Sequence, residues 1–344
     1  MHYENLVDLH THSDHSFDGK QSCMLLCETA VAKGASCIAI TDHCEIDSKT
    51  EDFRALCTNQ YVETFECKRY FEGQLLVLQG IELGQAIYNI PLANHILDKF
   101  NYDFVLGSIH NLPEMEDFFF MDYKDKDVYD LLSRYFQKEL ELAKWDGFDS
   151  LAHLTYPLRY MVGEQKIPVD MTRFDDVIGE IFETLIKNHK ALEINTSGIA
   201  MPLGDTLPGE AYIQRFHDMG GQYITVGSDA HVPEKLCGNV DKGMALAENG
   251  KRTYPLGTFF LYLERFPQQK QNIRLTGKHR RTLALQPSAY SKTYLPRDFV
   301  TGQIRISLTI RFCLPARESH ISGNLRKRRR IPKSRAPGID ILTK

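Results

Sequence analysis

Seven short runs rich in Val, Ile and Leu recur along the chain, at residues 6–9, 37–41, 75–78, 104–109, 150–154, 191–194 and 223–226. Between them lie longer segments, such as 24–33, 127–144 and 174–187, with apolar residues at three- and four-residue spacing. That is the period of a helix with one buried face. Strands alternating with helices build parallel βα units, so the pattern predicts an α/β fold, either a barrel or a doubly wound sheet. What ends the strands favours the barrel. Nearly every run closes on His, Asp or Glu, and the C-terminal strand ends are where barrel active sites are built.

The pattern decays after about residue 255. Residues 258–262 offer one more apolar element, but 267–344 hold no sustained helical period and only one β-like run, 304–312. Charge divides at the same place. The net charge of −4 is too small to call for a polyanionic or polycationic partner. From residue 268 onward, however, Asp298, Glu318 and Asp340 are the only acids, and the bases culminate in Arg326-Lys327-Arg328-Arg329-Arg330. The expected organisation is a barrel domain over 1–267 and a basic, poorly ordered extension over 268–344. A nucleic-acid or localisation role for the extension is the weaker reading, because it lacks an aromatic-interleaved fold. The eight cysteines have irregular spacing and no CxxC pair, and Met1-His2-Tyr3-Glu4-Asn5 does not open a signal peptide. Reduced thiols in a cytoplasmic protein are expected. No stretch approaches the roughly 18 apolar residues of a membrane helix.

The chemistry starts at Asp8-Leu9-His10-Thr11-His12-Ser13. Residues i and i+2 of a strand share a face, so His10 and His12 form a natural chelate for Zn²⁺, Mn²⁺ or Fe²⁺. Asp42-His43 follows the second run, Glu82 lies among glycines after the third, and His110 ends the fourth. His153 ends the fifth, Glu193 and Asn195 lie at the sixth, and Asp229-Ala230-His231 follows the seventh. A lone histidine at a strand end is ordinarily a hydrogen-bonded polar residue. Six of the thirteen histidines gathered at such ends predict a metal site instead. His95, His189 and His217 lie off the strand ends and are expected on helices or the surface.

Seven ordered motifs resemble the PHP (polymerase and histidinol phosphatase) family over residues 5–240, and within it the histidinol-phosphate phosphatase branch. They are DLHTHSDHSFDG at 8–19, ITDH at 40–43, GIELG at 80–84, LGSIH at 106–110, HLTYPLRY at 153–160, LEINTSG at 192–198 and VGSDAH at 226–231. The resemblance implies a distorted (βα)7 barrel holding two to three divalent ions. His10, His12, Glu82 and Asp229 would bind the first, with Glu82 bridging to a second that also takes His110 and His153. A third would take His43, His231 and a ligand from the opening loop, Asp18 by alignment, with His15 as the substitute. Glu193 is expected behind the ligands, orienting one of them.

Such a cluster attracts a phosphate dianion, and a hydroxide bridging two ions is a nucleophile near neutral pH. Arg159 is the expected phosphate clamp, its alternative being a surface salt bridge. Asn195 and Ser197 are candidate substrate contacts, or turn caps. Asp42, Asp229 and His231 are the candidate proton donors to the leaving oxygen, and the sequence does not choose among them. In many relatives a basic residue follows the Ser-Gly of the LEINTSG motif; here Ile199 and Ala200 follow. The activity implied is hydrolysis of L-histidinol phosphate to L-histidinol and phosphate, in histidine biosynthesis. The alternatives are a nucleotide, oligonucleotide or phosphotyrosyl ester at the same site, and a non-catalytic nucleic-acid-associated module. The oligomeric state is left open.

Overall fold

The computed structural model describes residues 6–48, 53–249 and 260–261. The chain divides into two compact units, Met1–His279 and Arg280–Lys344. Everything described belongs to the first, and the basic extension expected at 268–344 lies outside the described residues.

The strands are β1 (Leu6–Thr11), β2 (Ala35–Ile40), β3 (His43–Glu45), β4 (Leu76–Gly84), β5 (Phe104–Ser108), β6 (Ser150–Leu151), β7 (Ala191–Asn195), β8 (Tyr223–Gly227) and β9 (Phe260–Leu261). The helices are α1 (Cys23–Ala32), α2 (Phe53–Tyr70), α3 (Ile90–Lys99), α4 (Val128–Trp145), α5 (Asp175–Lys187), α6 (Glu210–Asp218) and α7 (Val240–Asn249). All strand pairings are parallel, in the order β1-β2-β4-β5-β6-β7-β8-β9, with β3 beside β4. Past the end of β8 the chain returns to β1. The Asp229 amide donates to the His10 carbonyl at 2.8 Å, and the His12 amide donates to the Ala230 carbonyl at 3.0 Å. A nearly closed barrel of seven staves results, as the alternating pattern predicts.

β3 has no counterpart among the predicted runs. Ile40 pairs with Gln79 and His43 with Glu82, the same offset, so β2 and β3 are one stave broken at Thr41-Asp42. The break lets Asp42 turn out of the ladder while His43 and Glu45 resume it.

The barrel interior is layered by the two-residue period of its strands. Val7, Leu9, Cys37, Ala39, Leu78, Phe104, Leu106, Ala152 and Ala191 form an apolar cluster with no helix residue in it, which fills the lower interior. The same faces continue upward to Glu82 on β4, Glu193 on β7 and Asp229 beyond β8. β1 departs from this rule, because Val7 and Leu9 belong to the interior cluster while Asp8, of the opposite parity, faces Ser228 just past β8, and His10 reaches Glu82 and Glu193 where the β1–β2 register shifts. Asp8 is fully buried there, accepting from the Ser228 amide at 2.8 Å, the Ser228 hydroxyl at 2.5 Å and the Cys237 amide at 2.8 Å.

α2 lies in the connection between the second and third apolar runs, where a helix is expected. Its buried face is Cys57, Gln60, Thr64 and Cys67, which carries helical spacing but little apolar signal. Gln60 makes up for its polarity by donating to the Ile40 and Gly80 carbonyls at 3.2 and 3.0 Å. No helix among the described residues is long and apolar enough to cross a membrane.

Candidate metal centre

Three groups of donor atoms converge at the C-terminal end of the barrel. In the first, His10 Nε2 lies 3.2 Å from Glu82 Oε2 and 3.6 Å from Asp229 Oδ1. His12 Nε2 lies 3.5 and 3.4 Å from the same two oxygens. In the second, the other Glu82 oxygen, Oε1, is 3.1 Å from His110 Nε2 and 2.9 Å from His153 Nε2, with 3.3 Å between those two nitrogens. In the third, His43 Nε2 and His231 Nε2 face each other at 3.5 Å. Asp18 joins them, with Oδ2 3.1 Å from His231 Nε2 and Oδ1 3.9 Å from His43 Nε2. Glu82 is fully buried and offers one oxygen to each of the first two groups.

The hydrogen bonds behind these atoms aim them inward. Glu193 Oε1 accepts from His10 Nδ1 at 2.7 Å, and its Oε2 accepts from the His153 amide at 2.7 Å. The Ser16 hydroxyl, 3.1 Å from His12 Nδ1, donates onward to Asp42 Oδ1 at 2.8 Å. His231 Nδ1 donates to the Asp229 carbonyl at 3.0 Å. For His10, His12 and His231 the Nδ1 is thus occupied and Nε2 is left pointing at the cluster, the arrangement that fixes a metal-binding tautomer, while His153 Nδ1 has no hydrogen-bond partner among the described residues.

A cation fits this donor set on the evidence of its unpaired atoms. His12 Nε2, His43 Nδ1, Asp18 Oδ1 and Glu45 Oε2 are buried without a hydrogen-bond partner among the described residues. His43 Nδ1 lies 3.0 Å from Glu82 Oε2 and 3.1 Å from Glu45 Oε1, yet its N–H is aligned with neither. Facing ring nitrogens about 3.3 to 3.5 Å apart cannot all donate to one another, whereas ligands sharing an ion of 2.0–2.2 Å bond length sit at about that spacing.

The electrostatics agree. Burial opposes the charge of Glu82, but His10, His43 and His110 hold its carboxyl well below the usual range. Asp229 is likewise held low against burial by His10 and Arg159. Burial lowers His10, His43 and His110, yet the surrounding carboxylates of Glu45, Glu82, Glu193 and Asp229 carry all three well above the ordinary imidazole value. Burial keeps His12 and His153 below it. Protons and cations therefore compete for His10, His43 and His110, and a raised pKa means that protons are already held tightly near neutral pH. Metal retention is expected to fall at least about 10-fold between about pH 8 and about pH 5, measured as metal remaining after dialysis at each pH.

Of the residues singled out by sequence, the structure brings His10, His12, Asp18, His43, Glu82, His110, His153, Asp229 and His231 together. Three others have different surroundings. His15 is turned away and meets Glu63 at 2.8 Å, so the opening loop directs Asp18 toward the cluster. Asp42 lies beneath that loop with both oxygens taken by Ser13 and Ser16, at 2.6 to 2.8 Å, and is not among the residues that line the cleft. Asn195 is fully buried, its Oδ1 accepting from the Ser197 amide and hydroxyl and its Nδ2 reaching Asp229 and Glu193. It lies behind Asp229 and Glu193 and is not among the residues that line the cleft. Glu45 was overlooked in the sequence: Oε1 is 3.0 Å from His110 Nδ1 and 3.1 Å from His43 Nδ1. A signal was available, since Glu45 stands two residues after His43, and Gly84 leaves the room its carboxylate fills.

Arg159 begins a π-helical turn and is buried beside the cluster, donating through Nη2 to Asp229 Oδ2 at 2.8 Å and Ser197 Oγ at 2.7 Å. Its Nε–H is buried without a partner among the described residues. The cluster and Arg159 open into a cleft of about 930 Å³ whose rim includes Phe17, Phe119 and Phe120, all more than half exposed.

Gly227 is where β8 passes His10. A Cβ there would overlap His10 Cβ and come within 2.6 Å of Glu193 Oε1. Gly227→Ala is therefore expected to destabilise the fold by about 1–3 kcal/mol and to lower metal content. Thermal unfolding and elemental analysis of the variant read both.

A parallel barrel with oriented histidines and shared carboxylates at its C-terminal end defines a class, that of barrel proteins built around a cluster of divalent ions. The PHP domain model matches residues 8–197, more than half of the chain, and the chain belongs to the PHP domain family. It is 29% identical over 245 residues to the probable histidinol-phosphatase of Thermotoga maritima, covering 70% of this chain and 90% of that one. It is 25% identical over 253 residues to the histidinol-phosphatase of Lactococcus lactis subsp. lactis, covering 70% and 89%. The crystal structure of histidinol phosphate phosphatase from Lactococcus lactis subsp. lactis, complexed with zinc, L-histidinol and phosphate, superposes with a TM-score of 0.63. That likeness covers 72% of this chain and 94% of the other at 22% identity, and it bears on the fold.

Proposed function

We propose that the protein is a metal-dependent phosphomonoesterase whose substrate is L-histidinol phosphate, cleaved by water to L-histidinol and phosphate. The observation that carries the reading is the buried Glu82 carboxylate, shared between two sets of imidazoles, beside an arginine with an unpaired N–H. Full retention of the donor set argues against a non-catalytic module. Names of relatives at 25–29% identity support the choice of ester.

His10, His12, Glu82 and Asp229 would hold one ion, Glu82, His110 and His153 a second, and Asp18, His43 and His231 a third. Bound Zn²⁺, Mn²⁺ or Fe²⁺ would supply positive charge for the phosphate oxygens and acidify water. The chain's own residues do the rest. Arg159 presents its free N–H to a phosphate oxygen while Asp229 and Ser197 hold its Nη2. Glu193 and Ser16 keep the His10 and His12 rings aimed. Asp229 is held ionised and Asp42 is enclosed, so neither supplies the leaving-group proton.

The exposed Phe17, Phe119 and Phe120 at the mouth suit a planar ring on the substrate, and a nucleoside monophosphate is the second reading for that reason. Phosphate release from histidinol phosphate, nucleoside monophosphates and a generic aryl phosphate separates the two. The expected result is a preference for histidinol phosphate of about 10²-fold or more in kcat/KM. A preferred nucleotide would overturn the substrate assignment while leaving the metal centre standing.

A further inference from the structure

His15 is drawn out of the main cluster into a second group of donors. Its Nε2 meets Glu63 Oε2 at 2.8 Å, and the Cys23 thiol completes a trio whose ligand atoms all lie within 4.8 Å of one another. We infer that His15, Cys23 and Glu63 form a separate binding site for a borderline-soft divalent cation of the Zn²⁺ type, between the opening loop and the α1–α2 seam.

The donors are one imidazole, one thiol and one carboxylate, a set that suits Zn²⁺ and excludes hard cations such as Mg²⁺. Cys23 is fully buried at the floor, while the His15 and Glu63 side chains are 20% and 36% exposed, so an ion enters from solvent and keeps room for a water. Cys23 is the first residue of α1, a ten-residue helix whose N-terminal dipole favours a thiolate there. Against this, burial and the carboxylates of Asp42 and Glu63 push the thiol up, and it is protonated without a cation beside it. Binding therefore forms the metal–sulfur bond by displacing the Cys23 proton to solvent, with the charge of the ion offsetting those two carboxylates. The seam holds further soft donors, since the free thiols of Cys27 and Cys67 are buried one turn along α1 and α2.

The site also adjoins the main one. The His15 amide donates to Ser13 Oγ at 3.2 Å, Ser13 Oγ donates to Asp42 Oδ2 at 2.7 Å, and Asp42 Oδ1 accepts from the Ser16 hydroxyl that contacts His12. An ion on His15 thus anchors the loop that carries Ser16 and Asp18.

Cobalt distinguishes the two sites, because the main cluster offers only nitrogen and oxygen and a near-ultraviolet thiolate-to-cobalt charge-transfer band can arise only from a cysteine site. Titration of the full-length protein with Co²⁺ to saturation is expected to produce that band with the amplitude of about one thiolate-bound ion per chain, unchanged in Glu82→Gln and absent in Cys23→Ser. His15→Ala, a change at a partly exposed position, keeps the test open if Cys23→Ser does not fold; it is expected to weaken the Co²⁺ affinity read at this band by at least about 10-fold. No thiolate band at saturation, a band that survives in folded Cys23→Ser, or unchanged affinity in His15→Ala would overturn the assignment.

Discussion

Replacing Glu82 with glutamine is expected to lower kcat/KM for phosphomonoester hydrolysis by at least about 10³-fold, equivalent to about 4 kcal/mol of lost transition-state stabilisation. Glu82 is fully buried, and its two oxygens serve different groups: Oε2 faces His10 and His12, and Oε1 faces His110 and His153. An amide keeps the shape but presents one NH₂ where an oxygen was, so one of the two groups loses its shared anionic ligand. The charge change acts in the same direction, since Glu82 is the largest or second-largest source of positive shift for His43, His110 and His10 among the carboxylates around them. Metal content of Glu82→Gln should fall by about one ion or more per chain, read on the same sample as the kinetics. A variant that keeps both its metal and its rate would show that Glu82 is only a buried hydrogen-bonding residue.

Arg159→Met should lower kcat/KM by about 10²–10³-fold, the range seen when one donor to a developing oxyanion is removed. Two effects are combined in that figure. The guanidinium is lost from the phosphate position, and Asp229 loses the 2.8 Å partner that helps hold it ionised. Removing one member of a buried ion pair also costs about 3–5 kcal/mol, so unfolding must be measured alongside activity. Arg159→Lys separates the contributions. It restores a charge near Asp229 but not the planar fork that reaches Ser197 Oγ and leaves Nε–H free. If phosphate binding is the role of Arg159, the lysine variant should recover stability more than rate. Equal recovery of both would make Arg159 a structural partner of Asp229.

The barrel and most of its ligands could be read in the sequence because both depend on a local pattern. Strand periodicity announced the seven staves, and Glu82, His110 and Asp229 keep the inward parity of β4, β5 and β8 at or near the strand ends, whereas His10 was legible from the His-x-His spacing and not from alternation with Val7 and Leu9. What could not be read depends on pairings between distant residues. Asp42 adjoins His43 in sequence, but the break between β2 and β3 turns it under the opening loop to Ser13 and Ser16. Asn195 has the composition of a substrate contact, yet its amide bridges Glu193, Asp229 and Ser197. His15 pairs with Glu63 while Asp18 faces His43 and His231, and Glu63 stands on a helix whose buried Cys, Gln and Thr face carries little apolar periodicity.

On the proposed function, a cluster of divalent ions on these residues performs the hydrolysis. The most direct test removes metal with a chelator, then follows phosphate release from histidinol phosphate as Zn²⁺, Mn²⁺ or Fe²⁺ is returned. No turnover is expected in the stripped protein, with recovery that saturates only after about two to three equivalents are bound at the nitrogen and oxygen ligands. Folded protein that retains no metal and hydrolyses nothing at saturating metal would contradict the proposed function.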